Sequence, residues 1–181
     1  VLTNSEQRFL DYKSVAYRGK NFDRIVSEGC AIVDIGGSSI QISLFEDGVL
    51  QSTQNLKLGF LRIREQIRYI DARRSQLEKL IGEIVNSQMQ VFTDLYLGER
   101  SVPNIIIIDD YISAFLEERG RDLVDAGQFR TFVESFSSHS AGDLAREYRM
   151  SEDGMFLLHI SGVMMECIIH ALGAERIYAP G

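Results

Sequence analysis

The chain has 181 residues, which is about the size of one typical domain. Its 19 Lys and Arg residues against 26 Asp and Glu residues give a net charge of −7, which argues against a general nucleic-acid binder. This charge does not exclude binding of a small phosphorylated ligand, because such a ligand needs only a few backbone amides and a cation. No uninterrupted apolar run approaches the roughly 20 residues that span a bilayer. Cys30 and Cys167 lack metal-ligand spacing, so we predict a reduced, cytoplasmic protein without a membrane or nucleic-acid partner.

The two ends of the sequence predict that the chain is part of a longer protein. It begins at Val1 without an initiator Met or a signal-peptide pattern, and it ends at Gly181 shortly after an apolar run. No internal repeat or linker divides it, so residues 1–181 are predicted to form a single domain. The first element is a predicted helix over Ser5–Tyr17, and the polar stretch Asn21–Glu28 is interpreted as a connection.

Three strands are predicted next. Cys30–Ile35 is a short apolar run typical of a buried strand, and apolar residues alternate with polar ones from Ile40 to Leu44. Asp47-Gly48 between two apolar runs is a strong hairpin signal, and Val49–Leu58 is the returning strand. These segments together predict a three-stranded antiparallel meander.

The rest of the chain alternates helices with strands. The continuous β-branched run Ile105–Ile108 is typical of a central parallel strand, and Asp125 with Gln128 predicts a capping box. The predicted helices and the last strand are Phe60–Tyr69, Arg73–Tyr96, Tyr111–Arg119, Asp125–Phe136, Ser140–Tyr148, Ser151–Leu172 and the strand Glu175–Ala179. This order predicts an α/β fold that resembles a ribonuclease-H-like (actin-like) half-domain: the antiparallel meander is extended by two parallel strands, with helices on both faces.

The segment between the first two strands has the chemistry of an anion site. Gly36 and Gly37 allow close backbone approach, consecutive amides can form an anion nest, and Ser38 and Ser39 add hydroxyl donors. Asp34 at the strand end is a candidate ligand for Mg²⁺. A tight hairpin in which Asp34 bonds to its own turn is the alternative interpretation. The spacing alone does not decide between the anion site and the tight hairpin.

Several segments resemble the exopolyphosphatase/guanosine pentaphosphate phosphatase (Ppx/GppA) family of the actin-like superfamily. Ala31–Gln41 resembles the family's phosphate-loop motif D-I-G-G-G-S-T-E, and Ser5–Leu10 resembles its E-E-A-R-L helix start. Leu56–Arg62 resembles S-L-x-L-G-x-x-R-L, and Phe129–Glu175 follows the helical second half. The resemblance covers nearly the whole chain and implies that it is the C-terminal lobe of a two-lobed phosphatase whose N-terminal lobe is absent.

This resemblance implies a site. Polyphosphate or guanosine pentaphosphate would lie between the two lobes, with Mg²⁺ assisting hydrolysis of the terminal phosphate. Glu6 would be the general base, Asp34 the catalytic and metal-binding carboxylate, and Gly36–Ser39 the phosphate-binding loop. On the residues alone, the favoured interpretation of Glu6 is a solvated carboxylate in the first turn of a helix, where the helix dipole stabilises it.

The departures from the family's motifs favour a second hypothesis. Ile40 and Gln41 replace its Thr and Glu, and Asp109 and Asp110 replace its second loop, A-S-G-T, where they would repel phosphate. We predict an exopolyphosphatase-like phosphohydrolase whose present lobe is inactive alone. The alternative is a catalytically silent relative that binds a nucleotide, alarmone or polyphosphate as a regulatory module. A plain scaffold domain is less favoured because of the loop chemistry. A homodimer, in which a second copy covers the cleft wall left exposed by the missing lobe, is a further possibility.

Three further groups of residues have a structural and a functional interpretation. His159, Glu166 and His170 share one helical stripe, which indicates packing and a Glu166–His170 pair more than a metal face. Asp109 fits a helix cap better than a metal ligand. A run of arginines is either a solvated helix face or a guide for a polyanion; it comprises Arg62, Arg64, Arg68, Arg73 and Arg74.

Overall fold

The computed structural model of the chain describes residues 22–70, 74–98, 100, 102–109, 111–117 and 123–179. The predicted first helix, Ser5–Tyr17, lies outside them. The strands are β1 (Cys30–Ile35), β2 (Ile40–Glu46), β3 (Val49–Leu56), β4 (Asn104–Asp109), β5 (Leu123–Asp125) and β6 (Arg176–Tyr178). The helices are α1 (Phe22–Ser27), α2 (Phe60–Ile67), α3 (Arg74–Phe92), α4 (Ile112–Glu117), α5 (Ala126–Ser138), α6 (Ala141–Glu147) and α7 (Glu152–Leu172), and a π-helical turn over Thr93–Leu97 follows α3.

The strands form one mixed sheet in the order β3-β2-β1-β4-β6-β5. β1, β2 and β3 pair antiparallel, while β4 lies parallel to both β1 and β6. Asp47 and Gly48 join β2 to β3 with φ values of 51° and 77°, the left-handed pair that a tight hairpin of this type needs. The structure therefore confirms the predicted meander extended by two parallel strands.

Two elements differ from the sequence prediction. The stretch interpreted as a polar connection, Asn21–Glu28, contains α1, whose Ile25 and Val26 are buried. The short strand β5 was not predicted, and it pairs antiparallel with β6, so the described sheet has six strands instead of five. Both elements are too short to show a hydrophobic period of their own.

Side chains of β1 alternate between the two faces of the sheet. Cys30 and Ile32 belong to a small cluster with Ile25 of α1 and Ile106 of β4. Ala31, Val33 and Ile35 belong to the main core, which lies between the sheet and helices α2 to α7. Helices therefore cover both faces, as predicted.

The long helix α7 is the centre of the main core, since α2, α3, α4, α5 and α6 all pack against it. Ser151 caps its first turn by accepting the Gly154 amide, and Gly173 ends it in the left-handed conformation at φ 66°. By length and composition it is the one helix within the described ranges that could span a membrane. Most of its apolar stretch is instead buried inside the fold, as in the core helix of a globular domain.

A buried polar contact joins α3 to α7. His159 of α7 is 7% exposed, and its Nε2 lies 2.7 Å from Oε1 of Glu78 in α3. The ring also packs edge-on against Phe136 of α5. Because an imidazole needs a hydrogen-bond partner when it leaves water, this contact fixes α3 against α7.

Replacing Glu78 should therefore destabilise the protein. We expect Glu78→Ala to lower the free energy of unfolding by about 1–3 kcal/mol, because the buried His159 ring loses this partner. Glu83→Ala is the control on the same helix, since its exposed carboxylate lies 4.0 Å from Lys79 and contributes about 0.5 kcal/mol or less. Urea unfolding would measure both, and equal losses would contradict the importance of the buried contact.

Candidate phosphate-binding loop

The candidate site lies where β1 turns into β2. Ile35 pairs with Ile40 across the two strands, and Gly36–Ser39 is the connection between them. The Gly36 amide donates to the Ser39 carbonyl oxygen at 2.9 Å and closes the loop. The loop thus lies at the carboxyl end of β1, beside the carboxyl end of the parallel strand β4.

The carbonyl groups of the loop are held by the start of α2. The Phe60 amide donates to the Gly36 carbonyl at 3.3 Å, and the amides of Leu61 and Arg62 donate to the Gly37 carbonyl at 3.0 and 3.2 Å. First-turn amides have no partner within their own helix, so these bonds satisfy groups that would otherwise need water. The Arg62 side chain adds a bond from its Nε to the Ser38 carbonyl at 3.3 Å.

This arrangement determines where the loop amides point. In a trans peptide the C=O and the following N–H point in opposite directions, and the described residues contain no cis peptide. With the carbonyls of Gly36 and Gly37 directed at α2, the amides of Gly37 and Ser38 are directed away from it. The Ser38 carbonyl accepts from Arg62, so the Ser39 amide also points away from that bond. The amides of Gly37 and Ser38 are therefore candidate donors to an anion. Neither Gly36 nor Gly37 needs a positive φ for this arrangement.

Gly59, the residue before α2, makes this contact possible. A Cβ atom at this position would lie 2.4 Å from the Gly37 oxygen and 2.5 Å from the Gly36 oxygen, far inside contact distance. Sequence reasoning matched Gly59 to the family's L-G-x-x-R segment but assigned it no role. A glycine immediately before a predicted helix, on a segment with no predicted turn, was the available signal.

Asp34, the predicted catalytic and metal-binding residue, lies in β1 directly opposite Gln41 in β2. By strand alternation it shares the α1 face with Cys30 and Ile32. Gln41 is buried and pairs in turn with Asn55 of β3, so this level of the sheet carries one carboxylate and two side-chain amides. Mg²⁺ is commonly held by one or two carboxylates together with substrate phosphates. Asp34 therefore fits a cation that a bound phosphate also holds.

The second loop, after β4, differs from the first. Asp109 lies beside Ile35 in the parallel register and is 6% exposed. Its Oδ1 accepts the amides of Tyr111 at 2.7 Å and Ile112 at 2.5 Å, so the helix-cap interpretation is confirmed. The amides at the start of α4 thus already hold a carboxylate of the chain itself. By strand alternation Asp109 faces the main core, on the side of the sheet opposite Asp34, and Asp110 lies outside the described residues.

The arginines of α2 do not act as one basic cluster. Arg64 Nη2 lies 2.7 Å from Oδ1 of Asp153, and Arg68 Nη1 lies 3.1 Å from Oε2 of Glu65. Arg73 lies outside the described residues. Arg62 is therefore the arginine that the structure brings to the loop, while Arg64 and Arg68 are paired with carboxylates.

Of the stripe on α7, His159 is buried in the core packing, as the sequence indicated, whereas His170 is exposed and the partner of Glu166 differs from the expected one. The expected Glu166–His170 pair is replaced by a contact of 3.0 Å from Arg130 Nε of α5 to Glu166. Both Glu166 and His170 line a cleft of about 400 Å³ between α3, α5 and α7. The described part of the chain contains no group of three or more His, Cys, Asp or Glu residues that could hold a metal ion.

Neither cysteine is a candidate nucleophile. Burial raises the pKa of Cys30 to about 12, and burial with the nearby Glu166 carboxylate raises the pKa of Cys167 to about 11. Both thiols are therefore protonated at neutral pH, while the thiolate is the reactive form. Glu6, the predicted general base, lies outside the described residues, so its role stays a prediction.

Comparison with solved structures identifies the fold. The chain superposes on the Ppx/GppA phosphatase of Aquifex aeolicus in its type II variant with a TM-score of 0.73 and 14% sequence identity, over 94% of this chain. A second structure of the Aquifex aeolicus family member gives a TM-score of 0.71 at 14% identity. The chain has the fold of these phosphatases. An exopolyphosphatase from Cytophaga hutchinsonii gives 0.65 at 12% identity, over 82% of this chain.

The superposition covers only part of each phosphatase. The chain spans 58% and 56% of the two Aquifex aeolicus structures and 51% of the Cytophaga hutchinsonii one. This coverage fits one lobe of a two-lobed protein. The sequence matches no protein-family model, and it has no significant match among curated proteins. The actin-like fold predicted from the resemblance is thereby confirmed, and identity this low extends the likeness no further than the fold.

Substituting Gly59 should disrupt the loop. We expect Gly59→Ala to weaken binding of inorganic tripolyphosphate at least tenfold, because the added methyl group displaces the carbonyls of Gly36 and Gly37 and turns the loop amides. Gly82→Ala in α3 is the control, since its Cβ would lie 3.9 Å from Cys167 in ordinary contact. Isothermal titration of both variants in the full-length protein measures the effect, and unchanged affinity for Gly59→Ala would contradict it.

Proposed function

We propose that the full-length protein is an exopolyphosphatase-like phosphohydrolase that removes the terminal phosphate of polyphosphate or guanosine pentaphosphate, and that this chain is its C-terminal lobe. The observation that carries the proposal is the set of bonds that orients the loop: the carbonyls of Gly36 and Gly37 are bonded to the first amides of α2, so the amides of Gly37 and Ser38 point away from that helix. The Ser38 carbonyl is bonded to the Arg62 side chain. The fold shared with the Ppx/GppA phosphatases supports the same reading.

The described residues would bind and orient the terminal phosphate. Loop amides and the Ser38 and Ser39 hydroxyls donate to its oxygens, and Asp34 would hold Mg²⁺ against it. Bound in this way, Mg²⁺ supplies positive charge that offsets the charge of the phosphates. Glu6 would orient the attacking water as general base. Phosphoryl transfer depends mainly on positioning and electrostatics, which this set of groups supplies.

The proposal includes an N-terminal lobe as partner. A phosphate held only by this loop is open to water on its other side, while in-line transfer needs the reacting groups enclosed and held from both sides. We therefore propose that the chain alone turns over no substrate. The loop contacts a terminal phosphate, which polyphosphate and guanosine pentaphosphate share. A cytoplasmic location belongs to the same proposal and rests on the two reduced cysteines.

A second candidate function is a regulatory module that binds a nucleotide, alarmone or polyphosphate without hydrolysing it. The observation that favours it is the Asp109 carboxylate, which occupies the amides that begin α4 beside the candidate loop. Gln41, opposite Asp34, also favours the regulatory module. An amide binds a hard cation less strongly than a carboxylate does, and it does not accept a proton at neutral pH.

Phosphate release by the full-length protein separates the two candidates. We expect release from tripolyphosphate with Mg²⁺, and a fall of about 100-fold or more in Glu6→Gln and in Asp34→Asn because each loses a carboxylate at the reacting phosphate. Asp47→Asn is the control, as it makes the same change in the hairpin at the other end of β2. Binding without any release would support the regulatory module, and unchanged release in both variants would contradict the assigned roles.

The charge of Asp109 should weaken anion binding. Asp109→Asn keeps an oxygen that accepts the amides of α4 but removes the negative charge, so we expect tripolyphosphate to bind several-fold more tightly. Asp125→Asn is the matched control. It is also a helix cap. In the sheet it lies opposite Arg176, at the amino end of the parallel strands and away from the loop. Equal affinities of Asp109→Asn and the wild type would show that this carboxylate does not affect the site.

A further inference from the structure

Arg62 contacts the loop twice. Its backbone amide donates to the Gly37 carbonyl at 3.2 Å, and its side-chain Nε donates to the Ser38 carbonyl at 3.3 Å. One residue therefore holds two consecutive carbonyl groups of the loop, the first through the main chain and the second through the side chain. The first bond comes with the start of α2 whatever the side chain is, whereas the second exists only because residue 62 carries a donor at that position.

The neighbouring arginines do not share this role. Arg64 forms a contact with both oxygens of Asp153 at 2.7 and 2.8 Å, and Arg68 pairs with Glu65. Within the described ranges, Arg62 forms no ion pair with a carboxylate, and its side chain is exposed. Its charge is therefore available beside the loop in a chain whose net charge is −7.

We infer that Arg62 is a positioning residue of the candidate phosphate loop: its Nε–H bond to the Ser38 carbonyl fixes the orientation of the Ser38–Ser39 peptide beside the amides of Gly37 and Ser38. The ligand class is a terminal phosphate, as in inorganic phosphate or a phosphoanhydride chain, so the inference rests on the proposed function. A guanidinium suits the role because its Nε donates to the loop while the rest of the planar group keeps its charge and further donors.

The geometry of the side chain allows a matched pair of variants. Glutamine places its amide nitrogen the same number of bonds from the Cα atom as the arginine Nε, so Arg62→Gln keeps the donor and removes the charge. Methionine has the same length with a methyl group at that position, so Arg62→Met removes both. The difference between the two variants isolates the hydrogen bond, and the difference between Arg62→Gln and the wild type isolates the charge. Arg68→Met is the control for loss of an arginine at the opposite end of α2, away from the loop.

The first measurement needs no ligand. In ¹⁵N-labelled full-length protein, the Ser39 amide resonance should shift in Arg62→Met and stay close to its wild-type position in Arg62→Gln and Arg68→Met. Shifts of equal size in Arg62→Met and Arg62→Gln, or no shift in either, would overturn the inference. This result does not depend on whether the protein binds or hydrolyses phosphate, so it is separate from the fate of the proposed function.

The second measurement is tripolyphosphate binding by titration calorimetry. We expect Arg62→Met to bind about tenfold or more weakly than the wild type, because the loop loses the bond that fixes its last peptide together with the nearby charge. Arg62→Gln should lie between the two, and raising the salt concentration should reduce its difference from the wild type. Equal affinity of the glutamine and methionine variants would overturn the inference. Absence of binding by the wild type would contradict the proposed function, and the amide resonances would then decide the inference alone.

Discussion

The contact between the start of α2 and the carbonyls of Gly36 and Gly37 is the interaction on which the candidate site depends. A helix start leaves amides without intrahelical partners, and a loop of glycines leaves carbonyls in need of donors. The two sets satisfy each other at 3.0 to 3.3 Å, and the peptide geometry then directs the loop amides away from the helix. Gly59 is required because any side chain there would displace both carbonyls. The direction of the loop amides is thus a consequence of how the helix docks, not of the glycines alone.

The sheet places this loop beside a second one of opposite character. Because β1 and β4 are parallel neighbours, Ile35 and Asp109 end the two strands side by side, at the edge where open α/β sheets bind ligands. The first loop presents donors, while the second has its donors taken by the buried carboxylate of Asp109. Of the two neighbouring loops, the second therefore has the amides of Tyr111 and Ile112 already bonded within the chain.

The sequence predicted the elements whose signals are local. The Asp47-Gly48 turn, the capping box of Asp125 and the cap at Ser140 each need only residues that lie close in sequence, and the structure contains all of them. Contacts between distant segments were not predicted. The expected local pair of Glu166 with His170 is wrong because Glu166 instead contacts Arg130, which lies on another helix, α5. The loop itself could be predicted from its glycines. Its attachment to Arg62, 24 residues further on, could not, since it depends on how α2 packs.

Binding and hydrolysis make different demands on the face of the sheet that carries Asp34. Binding a terminal phosphate would need amides, hydroxyls and positive charge, and Gly36–Ser39 with Arg62 alongside are the candidates for them. Hydrolysis also needs a base for water and charge compensation on the leaving phosphate. Across the strands from Asp34 the sheet offers Gln41 and Asn55, whose amides do not accept a proton at neutral pH. A base for the proposed hydrolysis would therefore have to come from another segment, and Glu6 is the residue that the sequence predicts for it. On this proposal the groups for binding and for hydrolysis belong to separate segments, so losing one need not remove the other.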